Sequence, residues 1–420
     1  MRNRPENSPH SNIIFSCIIT MLVSLFTSRA ALSILLIFFL SFVFFTCFSR
    51  RSWKQFVCTP LLISTSLLFF IPFISVLWSN NIDEWLHVMQ LKIPLLVLPL
   101  AFAGEWRLSE KKWKQIAYLF LLLVFAGTCY SLYHYLNDVP AVHANYLRAK
   151  VIATPLQNDH LRFSLLVSIA VLLCLLLLNY LEHGKSKYIL VILAGWFAVY
   201  LHVLAARTGI FCLYILLILF FLHLLFQKRK SVLGLVVISI VLILPVASWF
   251  TLPTFQNRIK YFLYDHSFVR SGTYLPGATD GNRTLSLKAG WQTLLEHPFG
   301  VGAGDIWNKV NEWYETNVPP MLQTDKLYPS SEWLIYGLTA GWPGIILFSM
   351  ILLVPFFQKK VKLRFYWLTL HVLFCFSFLF DVGLEVQYGI FMYSFILLWW
   401  WKWLAKCPGT VEISNQKNSL

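Results

Sequence analysis

Arg207 stands in Ala205-Ala206-Arg207-Thr208-Gly209, where one apolar run ends and the next begins with almost no connecting residues. A guanidinium there has two readings. It can anchor a helix end by snorkelling, or its planar fork of donors can clamp an anion such as a phosphate group. A second arginine, Arg283, lies in Asn282-Arg283-Thr284, with Leu287 and Trp291 four and eight residues on, the spacing of one helical face. Lys92 interrupts an otherwise apolar run. An ionisable side chain at membrane depth normally faces a cavity or a partner, so Lys92 is either a second phosphate contact or a snorkelling lysine.

Proton transfer needs a different kind of side chain. Glu332, in Ser330-Ser331-Glu332-Trp333-Leu334, precedes an apolar run. A partly desolvated carboxylate is a better proton acceptor near neutral pH, so Glu332 is a candidate base toward a sugar hydroxyl or, equally, an interfacial acid. His160 and Arg162 occur in Asn158-Asp159-His160-Leu161-Arg162, at the start of another apolar run. Asp159 suits a helix N-cap, which leaves His160 as a cap neighbour or a catalyst and Arg162 as a further candidate anion contact.

The elements that must hold these residues are set by composition. Of 420 residues 58% are hydrophobic and 13% charged, against about 45–50% and about 25% in soluble domains. Such a chain cannot cover a water-facing surface, whereas a bilayer accepts apolar side chains all round a helix. Apolar runs fall near 12–28, 30–48, 56–78, 86–103, 115–136, 163–181, 188–206, 208–226, 231–250, 335–357, 365–381 and 386–404. The reading is an all-α polytopic membrane protein with about 12 transmembrane helices. The fourth run is interrupted by Lys92, Pro94 and Pro99 and reads as a broken helix.

The net charge of +15 is a topology signal rather than a nucleic-acid surface. With both termini cytoplasmic, Arg50, Arg51, Lys54, Arg107, Lys111, Lys112, Lys114, Lys185, Lys187, Lys228, Arg229, Lys230, Lys359, Lys360, Lys362 and Arg364 fall in short inner connections. The short outer connections hold only Arg29 and Arg207 as basic residues, together with Asp83, Glu84, Asp381 and Glu385. The chain then divides into spans one to nine at 1–250, a periplasmic loop with amphipathic helices at 251–334, and three spans with a cytoplasmic tail at 335–420. An initial run after Arg2 and Arg4 lacks a small-residue cleavage site and reads as a helix.

Within the large loop, His297-Pro298-Phe299-Gly300-Val301-Gly302-Ala303-Gly304 has glycines at alternate positions but not the spacing of a dinucleotide fingerprint, and reads as a tight backbone turn. There is no Walker-type phosphate loop, and the eight cysteines show no disulfide or zinc spacing.

In order, Ala206-Arg207-Thr208-Gly209, Arg283 with Trp291, His297 through Gly304, Ser330-Ser331-Glu332-Trp333-Leu334 and Gly341-Trp342-Pro343-Gly344 resemble the bacterial O-antigen ligase and polymerase superfamily. The resemblance covers most of the chain from about Lys92 onward. It implies a GT-C-like inner-membrane glycosyltransferase that moves a glycan from an undecaprenyl-pyrophosphate-linked donor to a lipid or glycan acceptor such as lipid A core, without metal, nucleotide or other cofactor. Its partners would be those substrates and membrane lipids, with no nucleic acid. Arg207 and Arg283 then correspond to the family arginines that hold the pyrophosphate, with Lys92 and Arg162 as further contacts.

The chain departs from the family at Ser330-Ser331, where His-Asn is usual. The proton-accepting role is therefore open to Glu332, His160 or His297; otherwise transfer relies on orientation and leaving-group stabilisation, or this copy has lost transferase activity. A polysaccharide polymerase of the same superfamily uses the same residues. A gradient-driven transporter or flippase, with Lys92, Arg162 and Arg207 as substrate contacts, stays open as the alternative from another class; it predicts matching halves, and the single long insertion at 251–334 counts against it.

Overall fold

The computed structural model describes residues 9–148, 150–181, 184–271, 273–359 and 361–405; Arg2, Arg4, Lys360, Cys407 and the tail at 406–420 lie outside them. Seventeen α-helices follow one another: α1 Pro9–Thr27, α2 Arg29–Cys47, α3 Arg50–Cys58, α4 Pro60–Ile74, α5 Ile82–Phe102, α6 Glu110–Asn137, α7 Val139–Tyr146, α8 His160–Leu177, α9 Lys185–Leu204, α10 Arg207–Leu222, α11 Ser231–Thr251, α12 Pro253–Ser271, α13 Asp280–Glu296, α14 Ile306–Asn317, α15 Glu332–Leu353, α16 Arg364–Phe380 and α17 Gln387–Leu404. No strand occurs among the described residues beyond one isolated bridge, Val361 with Ala405. The chain is an all-α polytopic membrane protein.

Each of the twelve apolar runs is helical. Ten helices are long and apolar enough to cross a bilayer, and Arg364–Phe380 is a shorter apolar helix. The last, α17, carries Trp399-Trp400-Trp401 and Trp403 and is buried along nearly its whole length. It packs against α5 and α16, while α8, buried from Phe163 onward, packs against α9, α10 and α16. Helices apolar on every face belong inside such a bundle. By contrast α11 buries only Gly234, Val237 and Ser248, leaving an apolar surface suited to lipid tails.

Two boundaries differ from the sequence expectation. Residues 56–58 belong to α3, which capping by Ser49 starts and Pro60 separates from α4. The fourth span is one continuous helix despite Pro94 and Pro99. Close packing against α4 and α17 holds it together, as neighbouring helices do for proline-bearing spans.

The segment 251–334 folds into α12, α13 and α14. Helix α12 is pinned to the end of α9 by Thr254 Oγ1, which donates to Val203 O at 2.7 Å, and to α7 by Asn257 Nδ2, which donates to His143 O at 3.1 Å. Tyr146 of α7 donates to Leu204 O at 2.8 Å. The stretch 137–162 and the long segment therefore cover the same ends of the bundle.

The glycine-rich run is a close-packed turn, as its spacing predicts. Val301 N donates to Leu338 O at 2.7 Å and Trp342 N to Pro298 O at 3.0 Å. The run rests on α15 where Ala340 and Gly341 leave helical geometry. Gly341 has φ +68°, and a Cβ there would lie 2.1 Å from Pro298 O. Only glycine satisfies both conditions.

Candidate active site

The ends of α8, α10, α12 and α13 bring three arginines together. Arg207 begins α10, immediately after Ala205 reverses the chain in the left-handed region at φ 50°. Two residues on, Gly209 lies against α8: an added Cβ would meet Ser164 Cβ at 2.5 Å, and Ser168 Oγ donates to Gly209 O at 3.0 Å. The motif thus presents Arg207 at the helix end and fixes that end against α8.

Arg283 sits in the first turn of α13. Asp265 of α12, fully buried, fixes the start of that helix by accepting from Asp280 N at 2.7 Å and Gly281 N at 3.1 Å. Asp280 in turn is ion-paired with Arg207, whose guanidinium also lies 5.5 Å from the centre of the Phe262 ring. The third arginine, Arg258 of α12, lies over the Tyr261 ring at 5.7 Å. Its Nη1 is enclosed and has no hydrogen-bond partner.

These charges act on one another: Arg207 is repelled by Arg258 and Arg283, and Arg258 by Arg283. Burial pulls the Arg258 and Arg283 guanidiniums below the usual arginine range, with repulsion from Arg283 adding to the effect on Arg258 and repulsion from Arg162 to that on Arg283. Both nonetheless stay charged at neutral pH, because an arginine starts so high. Neither makes an ion pair among the described residues. Asp265 moderates the field at Arg207 and Arg258, and Asp381 at Arg283, but Asp265 is held by the α13 backbone, Asp381 by Arg162, and Asp280 Oδ1 by Arg207. Two half-buried guanidiniums therefore keep donors available to an anion.

His160 and Arg162 open α8 beside this cluster. Asp159 caps the helix, accepting from Arg162 N at 3.2 Å, as the sequence predicts. His160 is within electrostatic reach of Arg258 and Arg283. Arg162 is already answered: it pairs with Asp381 at 3.0 Å and Asp159 at 3.3 Å, and donates to Val382 O at 3.1 Å.

Lys92 and Glu332 lie in a second, enclosed group. Lys92 is ion-paired with Glu385 and lies 5.0 Å from the centre of the Tyr336 ring. Glu332 is fully buried at the start of α15; its Oε1 accepts from Leu384 N and its Oε2 has no partner. Arg162 feels the Glu332 charge, which links the two groups. Ser330, at the usual histidine position, shares a 2.9 Å hydrogen bond with Ser286, one turn beyond Arg283 on α13.

The structure therefore brings Arg207, Arg283, His160 and Arg162 to one region, and places Lys92 and Glu332 beside it rather than within it. Arg258, Asp265 and Asp280 were not evident from the sequence. Nothing local distinguishes Arg258 from the nearby Lys260 and Arg270; only its burial does.

Residues 189–349, which contain all three clustered arginines, match the family model described as O-antigen ligase. That match supports the O-antigen ligase and polymerase superfamily. No curated protein matches the chain. With the apolar helices, the family match supports a multi-pass membrane enzyme of the ligase or polymerase type, a class that handles lipid-linked glycans.

Proposed function

We propose that the protein is an inner-membrane O-antigen-ligase-type glycosyltransferase. It would transfer a glycan from an undecaprenyl pyrophosphate carrier to a lipid-borne acceptor on the periplasmic face. The observation that carries this reading is the pair of half-buried guanidiniums, Arg258 and Arg283, which make no ion pair among the described residues and lie beside Arg207.

In the transfer, an acceptor hydroxyl oxygen attacks the anomeric carbon of the donor sugar. The bond from that carbon to the pyrophosphate oxygen breaks, and its electron pair stays on the departing carrier. Charge develops on the leaving oxygen, where preoriented guanidiniums stabilise the transition state more than the ground state. The activated donor supplies the driving force, and the three arginines supply the clamp. Arg162, held by two aspartates, maintains the register of α8 against the turn at 381–382.

The acceptor hydroxyl must lose its proton. His160 is our assignment, because it opens α8 beside Arg258 and Arg283. Glu332 is enclosed, and its contact with Leu384 N fits a residue that positions the 382–385 turn. Lys92 belongs with it as the counter-charge of Glu385. We place the loop-bearing face in the periplasm and both termini in the cytoplasm on the distribution of basic residues.

The test is complementation in a strain lacking the gene, with Arg207→Ala and Arg283→Ala expressed at wild-type level in membranes. The expected outcome is accumulation of carrier-linked glycan and loss of glycan on the acceptor. Undiminished transfer in both variants would remove the clamp.

A further inference from the structure

Beyond the arginine cluster, at the same face, a cavity of about 360 Å³ is lined by Asn81, Glu84, Trp307, Asn308, Lys326 and Tyr328. That volume is at the lower end of the about 300–1,000 Å³ typical of small-molecule sites. One wall is aromatic: Trp307 and Tyr328 stack with ring centres 5.3 Å apart and planes 16° apart. The others carry a carboxylate, amides and an indole N–H. Among the described residues, the side chains of Glu84, Asn308 and Trp307 make no hydrogen bond or ion pair. They remain available to a ligand.

The walls are held rigidly. Asp305 accepts from Asn80 N at 2.6 Å, Gly304 N donates to Ser79 Oγ at 3.3 Å, and Tyr314 donates to Leu327 O at 3.0 Å. A Cβ on Gly304 would lie 2.1 Å from Asn81 O, so the 302–305 turn is pressed directly against the start of α5.

The chemistry selects a class of ligand. A phosphate would meet the Glu84 carboxylate, and the one cation present, Lys326, is engaged by Asn311 at 2.8 Å and Glu315 at 3.5 Å. A purely apolar group would strand the amides and the carboxylate. A pyranose fits both demands. Its C–H face suits the electron-rich face of an aromatic ring, and its hydroxyls can donate to Glu84 and accept from Asn308 and the Trp307 N–H.

Position supplies the role. Tyr328 lines the cavity, and its hydroxyl is raised first by burial and then by the charges of Glu84 and Glu385. Two residues later Ser330 touches the arginine-bearing helix through Ser286. The stretch 328–332 thus borders the cavity at one end and the clamp region at the other.

We infer that the cavity between the start of α5 and the Trp307–Tyr328 stack is a sugar subsite that holds a pyranose of the acceptor glycan. Its assignment to the acceptor rests on the glycosyltransferase reading above.

The test is equilibrium binding to the full chain in lipid nanodiscs. One probe is a fluorescently tagged oligosaccharide released from the acceptor lipid of the source bacterium by mild acid; the other is undecaprenyl pyrophosphate. Asn308→Trp, at an exposed position, fills the cavity without removing any internal bond, and Glu84→Gln is isosteric; Trp307→Ala is the third variant. Each should weaken oligosaccharide binding at least tenfold and leave binding of the pyrophosphate lipid within about twofold of wild type. Oligosaccharide binding equal in wild type and Asn308→Trp overturns the subsite. So does the absence of oligosaccharide binding by wild type, even where the pyrophosphate lipid binds and the glycosyltransferase reading stands. Oligosaccharide binding that the variants weaken, without any pyrophosphate-lipid binding, keeps the sugar subsite and sinks the transferase reading. A competing donor glycan that displaces the probe more tightly than the acceptor oligosaccharide overturns the acceptor assignment.

Discussion

Replacing Arg283 by alanine separates a ligand-binding arginine from a structural one. Arg283 has no carboxylate partner within ion-pair distance among the described residues, so its removal strands no buried counter-charge. It also relieves repulsion on Arg207 and Arg258. The fold should therefore tolerate the change, with a loss of about 1 kcal/mol or less, within the range of substitutions that break no network. Against a pyrophosphate the same substitution deletes charge-assisted hydrogen bonds worth about 1.5–3 kcal/mol. At about 1.4 kcal/mol per factor of ten, that is roughly a ten- to 150-fold loss of affinity. Arg283→Lys keeps the charge but loses the two-pronged geometry and should fall between alanine and wild type. The measurement is the Kd for undecaprenyl pyrophosphate in nanodiscs, paired with the melting temperature of the same preparation. A Kd shift under about threefold with an unchanged melting temperature would refute the clamp, and a large fall in melting temperature would show that Arg283 is structural.

Other outcomes follow from the same geometry. Asp280→Asn frees Arg207 from its ion pair and should tighten pyrophosphate-lipid binding by up to about fivefold, because a pair with one side chain 33% exposed is worth about 0–1 kcal/mol; weaker binding would count against competition between Asp280 and the ligand. Lys92→Met leaves Glu385 and the buried Glu332 without their cation and should cost about 3–5 kcal/mol, read as reduced membrane yield and melting temperature, and the double variant Lys92→Met/Glu385→Met should recover most of it. His160→Gln should abolish transfer with pyrophosphate-lipid affinity preserved, whereas Glu332→Gln should retain the wild-type pH–rate profile at reduced thermal stability; the reverse pattern would move the base to Glu332. Gly341→Ala combines a strained φ with a backbone clash and should lower the melting temperature measurably, by an amount consistent with about 1–3 kcal/mol.

The bundle was legible because its signal is local. Twelve apolar runs gave twelve helices, and the 3.6-residue spacing of Arg283, Leu287 and Trp291 reappears as α13. Asp159 announced its cap, and Gly300 and Gly302 announced backbone at positive φ. What escaped the sequence was long-range. Lys92 and its partner Glu385 are 293 residues apart, so no window could show that this lysine is answered internally. Arg258 looked like one more charge in a polar segment until α12 folded under Tyr146 and the start of α10. Pro94 and Pro99 suggested a break, because the packing of α4 and α17 against that helix is a tertiary fact.

The division of charges among these sites bears on how the proposed transferase would serve two substrates. A buried ion is expensive unless it is answered, and this protein answers some internally and leaves others to be shared. Lys92 with Glu385, and Arg162 with Asp159 and Asp381, are closed pairs that fix α5, α8 and the 381–385 turn relative to one another. Arg258 and Arg283 are held equally firmly, through the Asp265 cap and the α7–α12 contacts, but their charge is not consumed by the fold. The aromatic cavity at Trp307, which carries the Glu84 carboxylate, is built on the other side of the 328–332 stretch. A diphosphate and a sugar call for opposite electrostatics, and a single pocket could not favour both. Two sites joined by one short rigid segment can, and they would hold the leaving group and the attacking hydroxyl on opposite sides of the same anomeric carbon.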